Sequence, residues 1–386
     1  MRAIDPENKL SYAAAIALLM AVCGLAVNAQ QAKTVVAAGT PVIIQPHFGG
    51  QILGYDIDRN GTEGILTEFV TEGNNQSKVA TEIFDQKTGA ITAVVAEEDH
   101  TSDDYVAQSI NTDNLGLVLF QKSGQNQFLA LNPLNGNQFT GDWTPPLAPS
   151  EISIAQGDNA AVFASFPDQD VSYVYGSNIA QNTFGPAISL APIISVDEFL
   201  LNPAIAFDSS TNQAVLADSH DCPEPEPQCA TNIALVNLTT GAITEFTDKL
   251  GVGQVNGLAV DPVKGIAVTT TITDQGVEFY NLAKKKGLEV FMPNPNLAAA
   301  GLDVEFDAIH KLFLVSQFSS TGDLANPQPR VYVYNEAGKL KETVTTLQRI
   351  GISSNHFVLN TTTRTGFLPV VAPPQYLALQ LQSFTY

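Results

Sequence analysis

The chain has 386 residues, 44% of them hydrophobic, enough to bury a sizeable core as one large repeat fold or as two or three domains. Its formal charge is −21, with 18 Lys and Arg against 39 Asp and Glu, a field that argues against nucleic acid as a partner. Only 15% of residues are charged, below the usual ~25%, and Asn, Gln, Ser and Thr fill the polar positions instead. A surface of amides and hydroxyls changes little when carboxylates protonate, which fits an acidic extracellular or periplasmic habitat.

Residues 13–27, AAAIALLMAVCGLAV, form an apolar run of 15. That suits the core of a signal peptide and falls short of the ~20 residues of a membrane-spanning helix, so no stable membrane anchor is expected. Val27 and Ala29 supply the small residues that a signal peptidase requires, placing cleavage between Ala29 and Gln30. Residues 1–29 are therefore read as a signal peptide and the product as secreted or periplasmic. Once Cys23 leaves with it, Cys222 and Cys229 remain, separated by PEPEPQ, and a local disulfide is expected. A metal site beside His220 is the alternative for this pair.

Beyond residue 40 the apolar residues alternate or run in blocks of four to seven between Gly, Asn, Asp and Pro, with no dozen residues at helical spacing. The chain reads as all-β. One family of turns follows a buried-looking strand, with landmarks Asp58, Asn111, Gln156, Asp208, Asp261, Asp307 and Asn360 spaced by 53, 45, 52, 53, 46 and 53 residues. A second family interleaves with it at Phe84-Asp85 through Gly89, Leu131-Asn132 through Gly136, Val236-Asn237 through Gly241, Tyr280-Asn281 before Gly287, and Tyr334-Asn335 through Gly338. A degenerate copy stands at Tyr175-Gly176-Ser177-Asn178. Asp or Asn caps such a turn through its side chain, and Gly supplies positive φ.

Two hairpins in each period of ~45–50 residues make four strands, the size of a propeller blade. The expected fold is an all-β, seven-bladed β-propeller of four-stranded antiparallel blades in a single domain over 30–386. The blades lie near 49–98, 104–146, 150–191, 198–248, 254–294, 298–347 and 351–386. The last is short, with its third strand read at 376–381. Residues 40–46, around Pro41 to Gln45, are expected to supply its missing strand and remove a free sheet edge.

Asn256-Gly257-Leu258-Ala259-Val260-Asp261-Pro262 and Ala214-Val215-Leu216-Ala217-Asp218-Ser219 resemble blades of the NHL, YVTN and SMP-30/gluconolactonase-like propellers. The WD40 pattern does not fit, because the single Trp143 follows Asp142 and precedes Thr144. In the lactonases of that superfamily a Glu, Asn residues and an Asp at the starts of inner strands hold a divalent ion at the channel mouth. The resemblance carries that role by position to Glu151, Asn202, Asn256 and Asp303. Mixed carboxylate and amide oxygens would suit Ca²⁺ or Mn²⁺.

In such a fold both turn families lie at the bottom. The top carries the connections between blades and those between second and third strands, read as long at Thr71 to Ser77, Ser219 to Thr231 and Gln317 to Arg330. His47, His100, His220 and His356 fall on the top, as does Asn355; His310 alone lies below. The acidic run 97–104 reads as a solvated loop, and Lys284-Lys285-Lys286 as a solvated bottom turn. The leading functional reading is a monomeric binding or scaffold module that presents its top face to a protein, glycan or small molecule, without a firm cofactor. The alternative is a metal-dependent lactone or ester hydrolase acting through Glu151, Asn202, Asn256 and Asp303.

Overall fold

The computed structural model describes residues 33–36, 41–73, 76–100, 107–112, 115–122, 125–132, 137–142, 151–155, 161–166, 171–178, 183–190, 204–219, 231–248, 255–271, 276–292, 301–317, 328–346, 357–369 and 378–386. The chain divides into Met1–Lys33 and Thr34–Tyr386, and the second unit carries the architecture. Every regular element among the described residues is a strand, and these strands form seven antiparallel sheets.

In the first sheet Gln51–Ile57, Glu63–Gly73, Gln76–Asp85 and Ile91–His100 pair in chain order. The same up-and-down order repeats in the second sheet (107–142), the fourth (204–248), the fifth (255–291) and the sixth (301–346). In the third sheet the strand Val171–Asn178 pairs with two short outer pieces, Thr183–Phe184 and Ile188–Ser189. There the degenerate turn copy is absorbed: Gly176 pairs with Ala161 inside the ladder. The seventh sheet takes Val358–Asn360, Thr365–Pro369 and Leu379–Thr385 from the end of the chain, and Val42–Ile44 from its beginning, with Ile43 opposite Gln380. Its third strand begins at Leu379 and runs on to Thr385, later than 376–381. Phe384 sets that register by lying across Gly366, where any Cβ would meet the ring at 2.1 Å. The sequence pattern does not predict the strand Lys33–Val36 on the outer edge of the sixth sheet.

The described turns at Asp85, Asp208, Asn237, Asp261 and Asp307 share one rule, while the Asn335 turn is a residue shorter, with Gly338 donating its N–H to the Asn335 carbonyl. The Asp or Asn that ends the first or third strand turns its Oδ1 back to accept the N–H groups two and three residues on. Asp208 takes those of Ser210 and Thr211, Asp261 those of Val263 and Lys264, Asp307 those of Ile309 and His310, and Asn237 those of Thr239 and Thr240. The fourth residue after the cap then donates its own N–H to the cap's carbonyl at 2.8–2.9 Å, from Gly89, Gly241, Gly265 and Lys311. That fourth residue sits at positive φ, and where Gly is absent Asn212, Lys285, Lys311 and Arg364 take the strained conformation instead. Lys285, and not Gly287, is therefore the left-handed residue of the Asn281 turn; Gly287 already pairs with Tyr280.

Core clusters lie between successive sheets. One joins Tyr55, Leu66 and Phe84 to Val358, Leu379 and Leu381 across the first and seventh sheets. Others join the third to the fourth, the fourth to the fifth, the fifth to the sixth and the sixth to the seventh. First strands adjoin in succession, and Val358–Asn360 of the seventh sheet adjoins Gln51–Ile57 of the first. Gly257 marks the closeness of this approach, since a Cβ there would lie 2.8 Å from the Cα of Asp303 in the next sheet.

Gly241 and Gly89 separate backbone strain from packing. Gly241 has φ +70° and open space around it, so Gly241→Ala should destabilise the protein by roughly 1 kcal/mol. Gly89 has φ +73° and its added Cβ would lie 2.4 Å from the carbonyl oxygen of Ile43, so Gly89→Ala should cost at least twice as much. Denaturant unfolding of both variants measures the difference, and hydrogen exchange should show faster opening of Val42–Ile44 in Gly89→Ala alone.

Candidate functional site

The strands Glu63–Gly73 and Gln76–Asp85 each place one carboxylic acid inside an apolar run: Ile65-Leu66-Thr67-Glu68-Phe69 and Val79-Ala80-Thr81-Glu82-Ile83. Glu68 and Glu82 are both fully buried. Glu82 sits opposite Leu66, so the two acids lie diagonally on one sheet face, the face that packs on the seventh sheet. Over them runs the segment between Val42–Ile44 and the first strand. His47 donates its N–H to both oxygens of Glu82 at 3.0 Å, Phe48 donates to Glu68 Oε1 at 2.9 Å, and Gly50 to Glu68 Oε2 at 2.6 Å. Gly50 is required here, because a Cβ would lie 2.2 Å from the carbonyl oxygen of Phe69.

Burial, reinforced by the hydrogen-bonded Glu68 carboxyl, pushes Glu82 up to about 8, against the lowering effect of the His47 N–H. At neutral pH the folded chain therefore holds Glu82 protonated. Above the pair, Lys78 lies 4.8 Å over the Phe48 ring and bridges Glu72 at 3.3 Å and Glu97 at 3.1 Å; these hydrogen bonds, that to Glu97 first, raise its pKa.

The same layer recurs in other sheets. Glu278 of the fifth sheet stands two residues before Tyr280, as Glu82 stands before Phe84, and accepts Thr269 Oγ1–H at 2.6 Å. In the sixth sheet buried Tyr332 donates its hydroxyl to Gln317 Oε1 at 2.8 Å. Buried polar pairs thus bind second strands to third strands near the end where first strands begin, opposite the capped turns. None of these residues was singled out by sequence reasoning; the available signal was an acid interrupting an otherwise apolar strand.

The sequence-predicted residues are distributed differently. His47 is exposed and contributes its backbone to the Glu82 clamp, with its ring edge-on to Phe48 at 4.8 Å. His100 ends the outer strand Ile91–His100 opposite Ser77 and is not in a loop; the acidic run begins in that strand, where Asp99 pairs with Lys78. Thr71 pairs directly with Ser77 and Gly73 with Gln76, so this connection is a tight hairpin and not a long loop. Asn256 is half-buried at a bulge between Val255 and Gly257. Asp303 is occupied structurally: Oδ1 accepts the N–H of Val304 at 2.8 Å, and Oδ2 accepts that of Phe357, in the seventh sheet, at 3.1 Å. Glu151 begins a strand opposite Ser165. Asn202, His220, Cys222, Cys229, Asn355 and His356 lie outside the described residues. Among the described residues no three His, Cys, Asp or Glu side chains gather where they could hold a metal.

No family model matches the chain, and no curated protein matches it in sequence. Solved structures do. The chain superposes on the β-propeller domain of Cps50 (Swd1) from Myceliophteria thermophila with a TM-score of 0.54 and 10% identity, covering 90% of this chain and 99% of that one. The fold is a β-propeller. The Dos1 propeller gives a TM-score of 0.53 at 9% identity over 89% and 95% of the two chains. A chain of the mitotic checkpoint complex gives 0.53 at 10% over 89% and 93%. At this identity the likeness extends to the propeller fold alone.

The buried pair gives this propeller a pH dependence of definite sign. An unfolded Glu82 ionises near 4.5 and the folded one near 8, so between those values unfolding releases a proton and stability falls as pH rises. The thermal midpoint should be higher at pH 5 than at pH 8, and Glu82→Gln should flatten that slope. Differential scanning calorimetry from pH 5 to 8 reads both; a wild-type midpoint that rises over the window would contradict the pair's role.

Proposed function

We propose that the chain is an exported, seven-bladed propeller that acts as a binding scaffold for a protein partner, engaged through the end at which the first strands begin. Seven sheets whose first strands adjoin in succession support the blade count, and the pairing of Val42–Ile44 with Leu379–Thr385 supports closure by the N-terminal strand.

The observation that carries the binding reading is the difference between the two ends. The described capped turns close in a few residues. At the other end the chain runs 11 residues between Ser219 and Thr231 and 10 between Gln317 and Gln328, lengths that strand pairing does not need. The acids and amides of the layer below are engaged with backbone and neighbouring side chains, as Asp303 is, which favours a rigid platform over a reacting centre. Similarity in fold to a chain of the mitotic checkpoint complex supports a protein as the occupant.

Site-specific photo-crosslinking in the native host tests this directly. A crosslinker at residue 225 or 323 should trap one discrete protein, and one at Thr239 in a capped turn should not trap it. Equal trapping from both ends, or chelator-sensitive lactone hydrolysis by the purified protein, would overturn the reading. The amino terminus of the exported product should be Gln30 by N-terminal sequencing.

A further inference from the structure

The capped-turn end is chemically uneven. Of the 18 Lys and Arg in the chain, eight fall in five turns and the strand ends that adjoin them in the fifth to seventh sheets, residues 261–265, 281–286, 307–311, 335–341 and 360–364. Lys264, Lys284, Lys285 and Lys286 belong to the fifth sheet, Lys311, Lys339 and Lys341 to the sixth, and Arg364 to the seventh. The same segments hold three acids: Asp261 and Asp307 are fully buried, and Glu336 is ion-paired with Lys264. A chain of net charge −21 therefore presents one basic face.

That face is also apolar. The described residues include four exposed large hydrophobic side chains, and three are here: Val263 at 74% exposure, Ile309 at 58% and Leu288 at 54%. Val263 and Ile309 occupy the same position of equivalent turns in adjacent sheets, two residues after the caps Asp261 and Asp307. Leu288 lies against Gly338, within 3.7 Å of where its Cβ would stand, beside Lys339. Lys264 joins two of the turns through Glu336, and Tyr386, which follows the strand Leu379–Thr385, donates its hydroxyl to Asp307 Oδ2 at 2.8 Å.

The geometry points to reversible docking of this face on an anionic phospholipid bilayer. Seven of the eight bases are lysines, strongly hydrated point charges that suit diffuse attraction to a charged surface, whereas protein interfaces enrich arginine and deplete lysine. Aliphatic turn tips gain free energy at the boundary of headgroups and acyl chains and gain nothing from a nucleic-acid backbone. Within a Debye length of ~8 Å the local bases govern contact, and the acidic remainder orients the molecule with its opposite end away from the lipid.

Co-sedimentation of the purified protein with vesicles tests the inference. Vesicles of 30% phosphatidylglycerol in phosphatidylcholine at low salt should bind at least a hundredfold better than pure phosphatidylcholine. The triple variant K284Q/K285Q/K286Q should lose on the order of a hundredfold, at about 1 kcal/mol for each lysine. The double variant V263S/I309S should lose several-fold at both low and high salt, and Lys87→Gln, in a first-sheet turn, should change binding by less than twofold. All these sites are exposed, and unchanged melting curves verify that the variants fold. Equal binding to both vesicle types, or undiminished binding by the triple variant, overturns the inference. So does capture of polyglutamate or duplex DNA without vesicle binding, which would assign the face to an acidic protein or a nucleic acid.

Discussion

The architecture depends on one local interaction: a strand-ending Asp or Asn whose side chain accepts the backbone N–H groups of the turn it begins. Because the cap, the left-handed fourth residue and the N–H to carbonyl bond are set together, each turn fixes which residues of the flanking strands face each other. Shifting that register by one residue would carry Val215 and Ala217, which pack on the fifth sheet, to the face that packs on the third, and Ala214 and Leu216 the other way. The caps also reach their neighbours. Ser210, in the Asp208 turn, donates to the carbonyl of Pro262 at 2.6 Å, and Asn360 donates through Nδ2 to the carbonyl of Gly61 at 2.9 Å. Turn chemistry thereby links sheet to sheet as well as strand to strand.

The opposite end is held by a different device. Buried polar pairs, among them the two carboxyl groups of Glu68 and Glu82, replace the capped turns there and tie second strands to third. At the junction of the first and last sheets this layer also fastens the entering chain, through the N–H groups of His47, Phe48 and Gly50. Keeping Glu82 protonated makes the junction most favourable on the acidic side of neutrality, the same direction suggested by a surface rich in amides and hydroxyls. Capped turns at one end, and at the other the two long connections between Ser219 and Thr231 and between Gln317 and Gln328, give a frame on which two faces can serve different surfaces.

Much of the fold was legible because its decisive chemistry is local. Asp85 through Gly89 and Asn237 through Gly241 announce their turns within five residues, and counting them yields the strands. Interactions set by distant partners were not legible. Glu68 and Glu82 meet a segment 18 to 35 residues away, and the second oxygen of Asp303 is claimed by Phe357, 54 residues on. The pattern points to Gly287 as the turn glycine, but Lys285 accepts the positive φ instead. Thr71 to Ser77 reads as a connection longer than a tight hairpin needs, yet strand pairing continues into it from both sides, as far as Gly73 and Gln76.

Closure of the ring by the N-terminal strand is the central claim, and a paired cysteine substitution tests it most directly. Ile43 and Gln380 stand directly opposite each other in antiparallel strands, a separation that a disulfide spans. In Ile43→Cys/Gln380→Cys the account predicts a near-quantitative bond, found by non-reducing peptide mapping as one linked peptide spanning positions 43 and 380, with a raised thermal midpoint. A folded variant in which the two cysteines remain unlinked under oxidising conditions would contradict it.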